Sequence, residues 1–370
     1  MKSTKLKPAM SLLVIYNPVC GDSTAEQFFH THVIPRLHTA NRIPTEIFRT
    51  RGPDDAGIEV LNFLNRHRGN SITVILGSGD GTLHEIVNHL AFSDDQSVRA
   101  IHFVLVPCGT ANALYASFFR PTPSQDMVAY KMRSLEAFLG APTSRPLTLS
   151  LTSLLGPRHG QGDPRPVASI VVTSTALHAA ILKDSEKLRK EIPGIERFKV
   201  AAQQNITKWY TSHVRLLPTP SGAVHIYDPG KGSFVPAGYP NTSDSALNVF
   251  GPFAYFLSTV NVDRLESEFR INPMISTSPP VDTSMDVVII RPQRDPTFTL
   301  DTPQAREKFA QKTAVVLKTA YRDGIHINLR YSENGDIAES GDGNTLVECF
   351  RCGGWEWIPV RRYCFCLLSH

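Results

Sequence analysis

Apolar positions in the first 140 residues follow two rhythms. Leu12–Tyr16, Ile72–Leu76 and Ile101–Val106 are short, mostly apolar runs, broken by Thr73 and His102, the pattern of strands buried on both faces. Thr45–Arg49 reads as one more strand. Between them, Ala25–Leu37, Asp54–Arg66 and Leu83–Leu90 carry apolar residues at helical spacing. The first of these is expected to end near Pro35, and the second opens on an aspartate. Ala111–Phe119 reads as the start of another helix. Strand and helix in alternation build a parallel sheet covered by helices on both sides. Ligands of such sheets sit at the carboxyl ends of the strands. Three of those ends carry loops of small residues, "NPVCGDS", "GSGDGT" and "PCGTAN".

The rhythm changes around "GAPTSRP" (Gly140–Pro146). Beyond it come β-like runs at Leu147–Leu155, Val167–Thr173, His213–Leu217, Val224–Tyr227, Leu247–Val262 and Met285–Ile290. Loops rich in proline and glycine separate them, and two helical stretches, Glu196–Tyr210 and Pro303–Tyr321, interrupt them. This predicts a second, mostly antiparallel domain, a β-sandwich. The expected division is an α/β domain over residues 9–145 and a β-rich domain over 146–366, with no internal repeat.

Length and composition agree with two folded domains. The chain has 370 residues, of which 41% are hydrophobic and 19% charged, enough to bury a core and too apolar for disorder. A formal charge of +4 suits a phosphate-bearing ligand or an anionic membrane surface, and it is too small to argue for nucleic acid. The opening "MKSTKLKPAMSLLVIYNP" is basic and then apolar, but the run Met10–Tyr16 is short for a signal peptide and lacks a small-residue cleavage site. No run approaches the length that spans a membrane. Cys20 and Cys108 are isolated, while Cys349, Cys352, Cys364 and Cys366 crowd the far end. "CFRC" has the spacing of half a zinc site, but it falls in a strand-like stretch and Cys364-x-Cys366 is a poor second half. A reducing, cytosolic compartment is the simplest expectation, and the sequon-like Asn205-Ile206-Thr207 and Asn241-Thr242-Ser243 then carry no meaning.

Glycines after a strand let the backbone approach a ligand, and the following helix adds the positive end of its dipole, so the "GSGDGT" loop favours phosphate. Two common phosphate motifs are excluded. Thr82 stands where a dinucleotide fingerprint needs its third glycine, and the Gly-Lys-Ser/Thr of a P-loop never occurs. "HEIVNH" misses the metalloprotease pattern, because Asn88 holds the place of the second histidine. Asp80 is then an acid inside an anion-binding loop. It makes sense as a group that takes a proton from an incoming hydroxyl or holds Mg²⁺ beside phosphates. The alternative is a cap on the helix beginning near Thr82.

At this point the chain resembles the diacylglycerol/sphingosine/ceramide lipid kinases. "GSGDGTLHEIVNHL" is similar to their signature, "YNPVCGDSTA" to their Asn-Pro-x-x-Gly strand end, and "VPCGTANALYASF" to their Gly-Ser/Thr-Gly-Asn segment, in a form nearest the sphingosine kinases. "LKDSEKLRKEIPGIERFKVAA" resembles a block of their second domain. The resemblance implies an α/β domain like that of NAD kinases and phosphofructokinases, followed by a lipid-binding β-sandwich. It implies ATP and Mg²⁺ as cofactors, with Asp80 as the catalytic base. Ser78, Gly79, Gly81 and Thr82 would hold phosphates; Asn17, Gly109, Thr110, Ala111 and Asn112 would shape the nucleotide site. Glu85 would lie near the nucleotide and Thr50 near the adenosine, and Arg189 and Arg197 would reach the phosphates. Asp184 would face the lipid head. A membrane lipid substrate implies a cytoplasmic protein acting peripherally at membranes.

Three departures accompany the resemblance. Ala111 replaces a family glycine. Aligned on Ser185-Glu186-Lys187, the acid that sphingosine kinases direct at a cationic head falls near Ile181 or Leu182, and "LKDSEK" is nearer the ceramide-kinase wording. The family's late Asp-Gly-Glu is missing; Asp342-Gly343-Asn344 is the near match, before rather than after "VECFR", so an aberrant C-terminal segment is expected. The expected activity is phosphorylation of a sphingoid base. Ceramide or diacylglycerol, NAD kinase activity, and a catalytically impaired regulator are the alternatives.

Overall fold

Strand β1 (Met10–Tyr16) is buried from its second residue onward, and β3 (Ser71–Ser78) likewise. Both lie inside a parallel sheet of order β2-β1-β3-β4, with β2 at Glu46–Arg49 and β4 at Ile101–Pro107. A strand flanked on both edges and covered on both faces is apolar at most positions, which is why these two runs do not alternate, with Ser11 and Thr73 among the buried polar exceptions. The third run, Ile101–Val106, instead lies in the edge strand β4 and is only half-buried over much of its length. The structure, a computed structural model, describes residues 10–93, 100–122, 124, 126–140, 143–153, 166–238, 246–281 and 283–360. The segment Asn241-Thr242-Ser243, the cysteines Cys364 and Cys366, and most of the loop before Val167 lie outside them.

One face of the sheet meets a helix built from α1 (Ala25–Phe28), a π-turn (Phe29–Val33) and α2 (Ile34–Thr39), together with α6 (Met127–Leu139). Leu12, Val14 and Ile75 pack there against Phe29, Val33, Leu37 and Leu135. Each such fully buried side chain contributes about 1.5–3 kcal/mol. The first helix does not end at Pro35. The proline stands in the first turn of α2, after the π-turn, where a missing N–H is tolerated, so the helix runs on to Thr39. Leu13 and Ile15 point to the other face and are fully buried too. Helices α3 (Asp55–Arg66) and α4 (Asp80–Ala91) pack together, and the short α5 (Ala113–Phe118) follows β4. A hairpin of β5 (Ser150–Thr152) and β6 (Val167–Ser169) closes this part.

The chain divides into two compact units. The first runs to Val171 and includes Pro193–Ile195 and Arg264–Ser267; the second takes Val172–Ile192, Glu196–Asp263 and the chain from Glu268 onward. In the second, β7 (Val172–Thr175), α7 (Ala176–Leu188) and α8 (Glu196–Asn205) lead into antiparallel strands. These are β8 (Ser212–Leu217), β9 (His225–Asp228), β10 (Ser233–Pro236), β11 (Leu247–Phe250), β12 (Tyr255–Thr259), β13 (Met285–Ile290), β14 (Arg330–Tyr331), β15 (Ile337–Ala338), β16 (Val347–Cys352) and β17 (Gly354–Pro359). Helices α9 (Met274–Thr277) and α10 (Pro303–Ala320) complete it. A six-stranded sheet, β10-β9-β16-β13-β12-β7, and a three-stranded one, β11-β8-β17, share one core. Val214, Leu216 and Val249 of the smaller sheet meet Phe256, Val287, Ile289 and Phe350 of the larger. This is the sandwich arrangement, one hydrophobic layer between two antiparallel sheets.

The run Leu247–Val262, which reads as one β-like stretch, is two strands in two different sheets. Pro252 has no N–H for a ladder, and the chain crosses there from β11 to β12. Cys349 and Cys352 are buried free thiols of β16, and burial pushes Cys352 up to about 12. Among the described residues no group of three potential metal ligands is assembled, and no helix is long and apolar enough to cross a membrane.

Candidate functional site

The three small-residue loops meet at one edge of the parallel sheet because β1, β3 and β4 are adjacent and all end there. Backbone bonds continue past the strands. Asn17 N–H donates to the Gly77 carbonyl (2.9 Å), and Cys108 N–H donates to that of Ser78 (3.0 Å). The Asn17 amide then reaches the Thr82 hydroxyl at 3.3 Å, while its oxygen accepts from Val19 N–H at 3.1 Å. Thr50, buried at the end of β2, donates its N–H to the Tyr16 carbonyl at 3.1 Å.

Gly79 and Gly109 touch backbone to backbone. A methyl built on Gly109 would lie 2.4 Å from Gly79 Cα and 2.9 Å from Asn112 Oδ1. Asn112, in the left-handed region at φ 52°, closes this loop by accepting from Gly109 N–H (2.9 Å) and donating to its carbonyl (2.7 Å). Gly81 is different: nothing lies within 4 Å of the place its side chain would take. Thr110 and Ala111 are half-buried between them, and Ala111 keeps its φ out of the left-handed region, so its methyl strains no backbone. Ser78, also buried, donates its hydroxyl to the Gly79 carbonyl at 3.0 Å.

Helix α4 begins at Asp80 itself, two residues before the start expected at Thr82, and Gly79 is its cap residue. Asp80 does not cap this helix. Its carboxylate crosses to α5, accepting from Ala113 N–H at 2.7 Å and Leu114 N–H at 3.1 Å. The physical reason is that Asn112, the cap residue of α5, spends its side chain on Gly109, which leaves those N–H groups unpaired. Burial pushes the Asp80 carboxyl above the ordinary range, and the N–H groups of Leu114 and Ala113 pull it partly back. The surroundings explain the burial. Leu76, Leu83, Leu105, Val106, Pro107 and Tyr115 line a hollow of about 250 Å³, partly open to solvent, into which Asp80 also faces. A carboxylate with raised proton affinity is a stronger base, and each oxygen keeps a second lone pair.

Glu85 lies one turn further along α4. Burial raises its pKa, as does Asp54, while the backbone of Ala56 and Asp54 offsets part of this; its Oε1 is buried with no hydrogen-bond partner. Asp54 holds φ at +66° ahead of α3 and lies 3.3 Å from His89 Nε2. Asn88, on α4, makes a paired contact with β6. Its oxygen accepts from Ala168 N–H (2.9 Å) and its amide donates to the Ala168 carbonyl (2.8 Å). No sequence pattern marks Asn88 for this clamp, because the partner is a backbone group 80 residues away.

Arg189, Arg197 and Asp184 belong to the second unit. Arg189 pairs with Glu186 Oε2 at 3.1 Å. Arg197 is buried, with its guanidinium 4.6 Å from the Phe198 ring, and burial lowers its pKa against the opposing charge of Glu186 and with that of Arg189. Asp184 has both oxygens engaged, with Lys187 at 2.7 Å and Asn205 at 2.9 Å, and these partners hold its carboxyl below the ordinary range. Asp342-Gly343-Asn344 forms a turn against β14, with Asn344 accepting from Tyr331 N–H.

The first unit is thus an α/β domain with laced glycine loops and a buried acid at one sheet edge. Residues 11–137 match the family described as "Diacylglycerol kinase catalytic domain". No curated protein matches the chain. Among solved structures, "a putative diacylglycerol kinase from Bacillus anthracis str. Sterne" is 16% identical and covers 95% of this chain and 96% of its own, at a TM-score of 0.46. A second, "a diacylglycerol kinases" structure from the same organism, is 14% identical over 93% of this chain and 96% of its own, at a TM-score of 0.42. A third, again described as putative and from that organism, is 14% identical over 93% and 94%, at 0.45.

Proposed function

We propose that the chain is an ATP-dependent kinase of a lipid hydroxyl. The observation that carries this reading is the placement of Asp80, a carboxylate of raised proton affinity beside glycine loops at the carboxyl edge of a diacylglycerol kinase catalytic domain. ATP phosphates lie along Ser78, Gly79, Gly81 and Thr82, where Gly81 leaves open space, with Asn17 and Gly109–Asn112 shaping the rest of the seat and Thr50 and Glu85 toward the nucleoside. Asp80 takes the hydroxyl proton as the oxygen attacks the γ-phosphorus. Arg189 and Arg197 are assigned to the phosphoryl oxygens, where cations offset charge that spreads during transfer. Mg²⁺ bound with ATP would take oxygens chiefly from phosphates and water, with Glu85 on the helix that follows the loop, its Oε1 without a hydrogen-bond partner among the described residues, as a candidate protein ligand. The β-rich unit is assigned to the lipid, and the protein to a peripheral, cytoplasmic encounter with membranes.

The motif wording leans toward sphingoid bases. One observation favours an uncharged lipid instead. Asp184, the acid nearest the expected head-group position, already spends both oxygens on Lys187 and Asn205, and Ile181 and Leu182 are apolar. A desolvated ammonium would lack a counter-charge there. Purified chain incubated with labelled ATP, Mg²⁺ and, separately, diacylglycerol, ceramide and sphinganine tests both points, with Asp80→Asn alongside. Label in one lipid, lost in the variant, is the expected result. ATP binding without label in any lipid would refute the kinase reading and favour a nucleotide-binding regulator.

A further inference from the structure

Strand β7 and the start of α7 hold an arrangement that packing does not explain. Leu257 of β12 stands opposite Ser174 of β7, and the pairing continues as a bridge between Tyr255 and Ala176, so Ser174, Leu257 and Tyr255 share one face of the sheet. Tyr255 is 1% exposed, and among the described residues its hydroxyl has no hydrogen-bond partner. His178, in the first turn of α7, sets its ring 6.0 Å from the Tyr255 ring, edge-on at 67°. Its Nδ1 lies 2.7 Å from the Ser174 hydroxyl, and among the described residues Nε2 has no partner. Burial holds this imidazole neutral, with its pKa pushed down to about 4. Ala176, between the strand and His178, carries φ of +56°, a conformation a non-glycine residue adopts at a cost.

A buried phenol without a partner is destabilising, and phenylalanine would fill the same space without that cost. Retention of the hydroxyl beside a neutral imidazole, both on the wall formed by β7, β12 and α7, is accounted for if the partner is a ligand. We propose that Tyr255 and His178 form a specificity-determining pair that receives the uncharged head of the lipid, a glycerol hydroxyl or ester carbonyl. The pair offers one phenolic O–H and one imidazole nitrogen that donates or accepts according to its tautomer, since the Ser174 hydroxyl can serve either form. It offers no carboxylate, so an ammonium head would be desolvated there without compensation. This inference rests on the lipid-kinase reading above for the identity of the ligand as a lipid.

The test uses the full chain and equilibrium binding of labelled dioctanoylglycerol and of sphinganine, with ATP affinity and the melting temperature of the free protein measured alongside. In Tyr255→Phe, dioctanoylglycerol binding weakens by about five- to tenfold, the loss of one hydrogen bond. ATP affinity stays at the wild-type value and the free protein melts no lower than wild type. His178→Leu weakens the same binding, which keeps the test independent of a single variant. Unchanged binding in Tyr255→Phe would overturn the proposal. So would wild-type chain that binds sphinganine and not dioctanoylglycerol, or neither lipid, or a fall in melting temperature showing that the hydroxyl serves the fold. The two readings fail separately. Phosphorylation of dioctanoylglycerol with an unchanged KM in Tyr255→Phe removes the pair and leaves the kinase, whereas weakened binding in that variant without any phosphate transfer by wild type supports the pair and removes the kinase.

Discussion

Gly109→Ala is the sharpest probe of the laced loops. The added methyl would fall 2.4 Å from Gly79 Cα, 3.0 Å from Gly79 N and 2.9 Å from Asn112 Oδ1. Two of the three contacts are backbone, so no side chain can swing away; the loops must separate by about 1 Å to reach ordinary contact. Overpacking of this kind costs about 1–3 kcal/mol. Separation also strains the two bonds between Asn112 and Gly109 and, through α5, those from Ala113 and Leu114 to Asp80. For a unit of this size the expected fall in melting temperature is about 2–12 °C. Calorimetry reads the stability, and titration with ATP reads the site, where binding should weaken at least about tenfold in parallel. Gly81→Ala is the matched control. Its methyl enters open space within a helix, so stability should hold or rise by about 0.5 kcal/mol, while ATP binding weakens if phosphates approach there. A Gly109→Ala protein with wild-type melting and wild-type ATP affinity would refute the contact between the loops and the argument built on it.

Further outcomes follow from the same geometry. Asp80 has a folded pKa above its unfolded one, so its contribution to stability is complete below the ordinary carboxylate value and is lost as pH rises through the folded value. The stability of wild type should therefore decline across that window relative to Asp80→Asn, and parallel pH profiles would contradict the burial. Asp184 has the opposite sign: its depressed pKa means that its contribution is present at neutral pH and disappears as pH falls through the folded value, so the melting difference between wild type and Asp184→Asn should vanish in acid. Asn88→Leu removes both bonds to Ala168 and leaves two buried backbone groups unpaired, for a loss of about 1–3 kcal/mol in urea unfolding.

Much of the first unit was legible from spacing alone. Two of the apolar runs named the interior strands β1 and β3, where cover on both faces leaves little place for polar residues, while the third, Ile101–Val106, proved to be the half-buried edge strand β4; the small-residue loops fell together at one sheet edge. Helices α6 and α7 escaped this reading. Polar residues interrupt α7, and Ser185 and His178 are buried there through local hydrogen bonds to the Leu182 carbonyl and the Ser174 hydroxyl, so hydropathy hides their burial. The division of Leu247–Val262 between two sheets was equally hidden, since hydropathy shows burial and not the partner strand.

At the site, the sequence by itself determined which residues gather at the sheet edge: consecutive parallel strands must all end on one side, so Asn17, Asp80 and Asn112 had to come together. What each side chain does there was decided by the tertiary structure. A cap on its own helix was the alternative reading of Asp80, yet it holds the N-terminus of α5, because Asn112 turned its amide onto Gly109 and left N–H groups unpaired within reach. Asp184 reads as a ligand for a cationic head, yet Lys187 and Asn205 occupy it. A hydrogen bond forms with whichever partner the packing brings to about 3 Å, and that distance between residues far apart in the chain is a property of the fold and not of the local sequence.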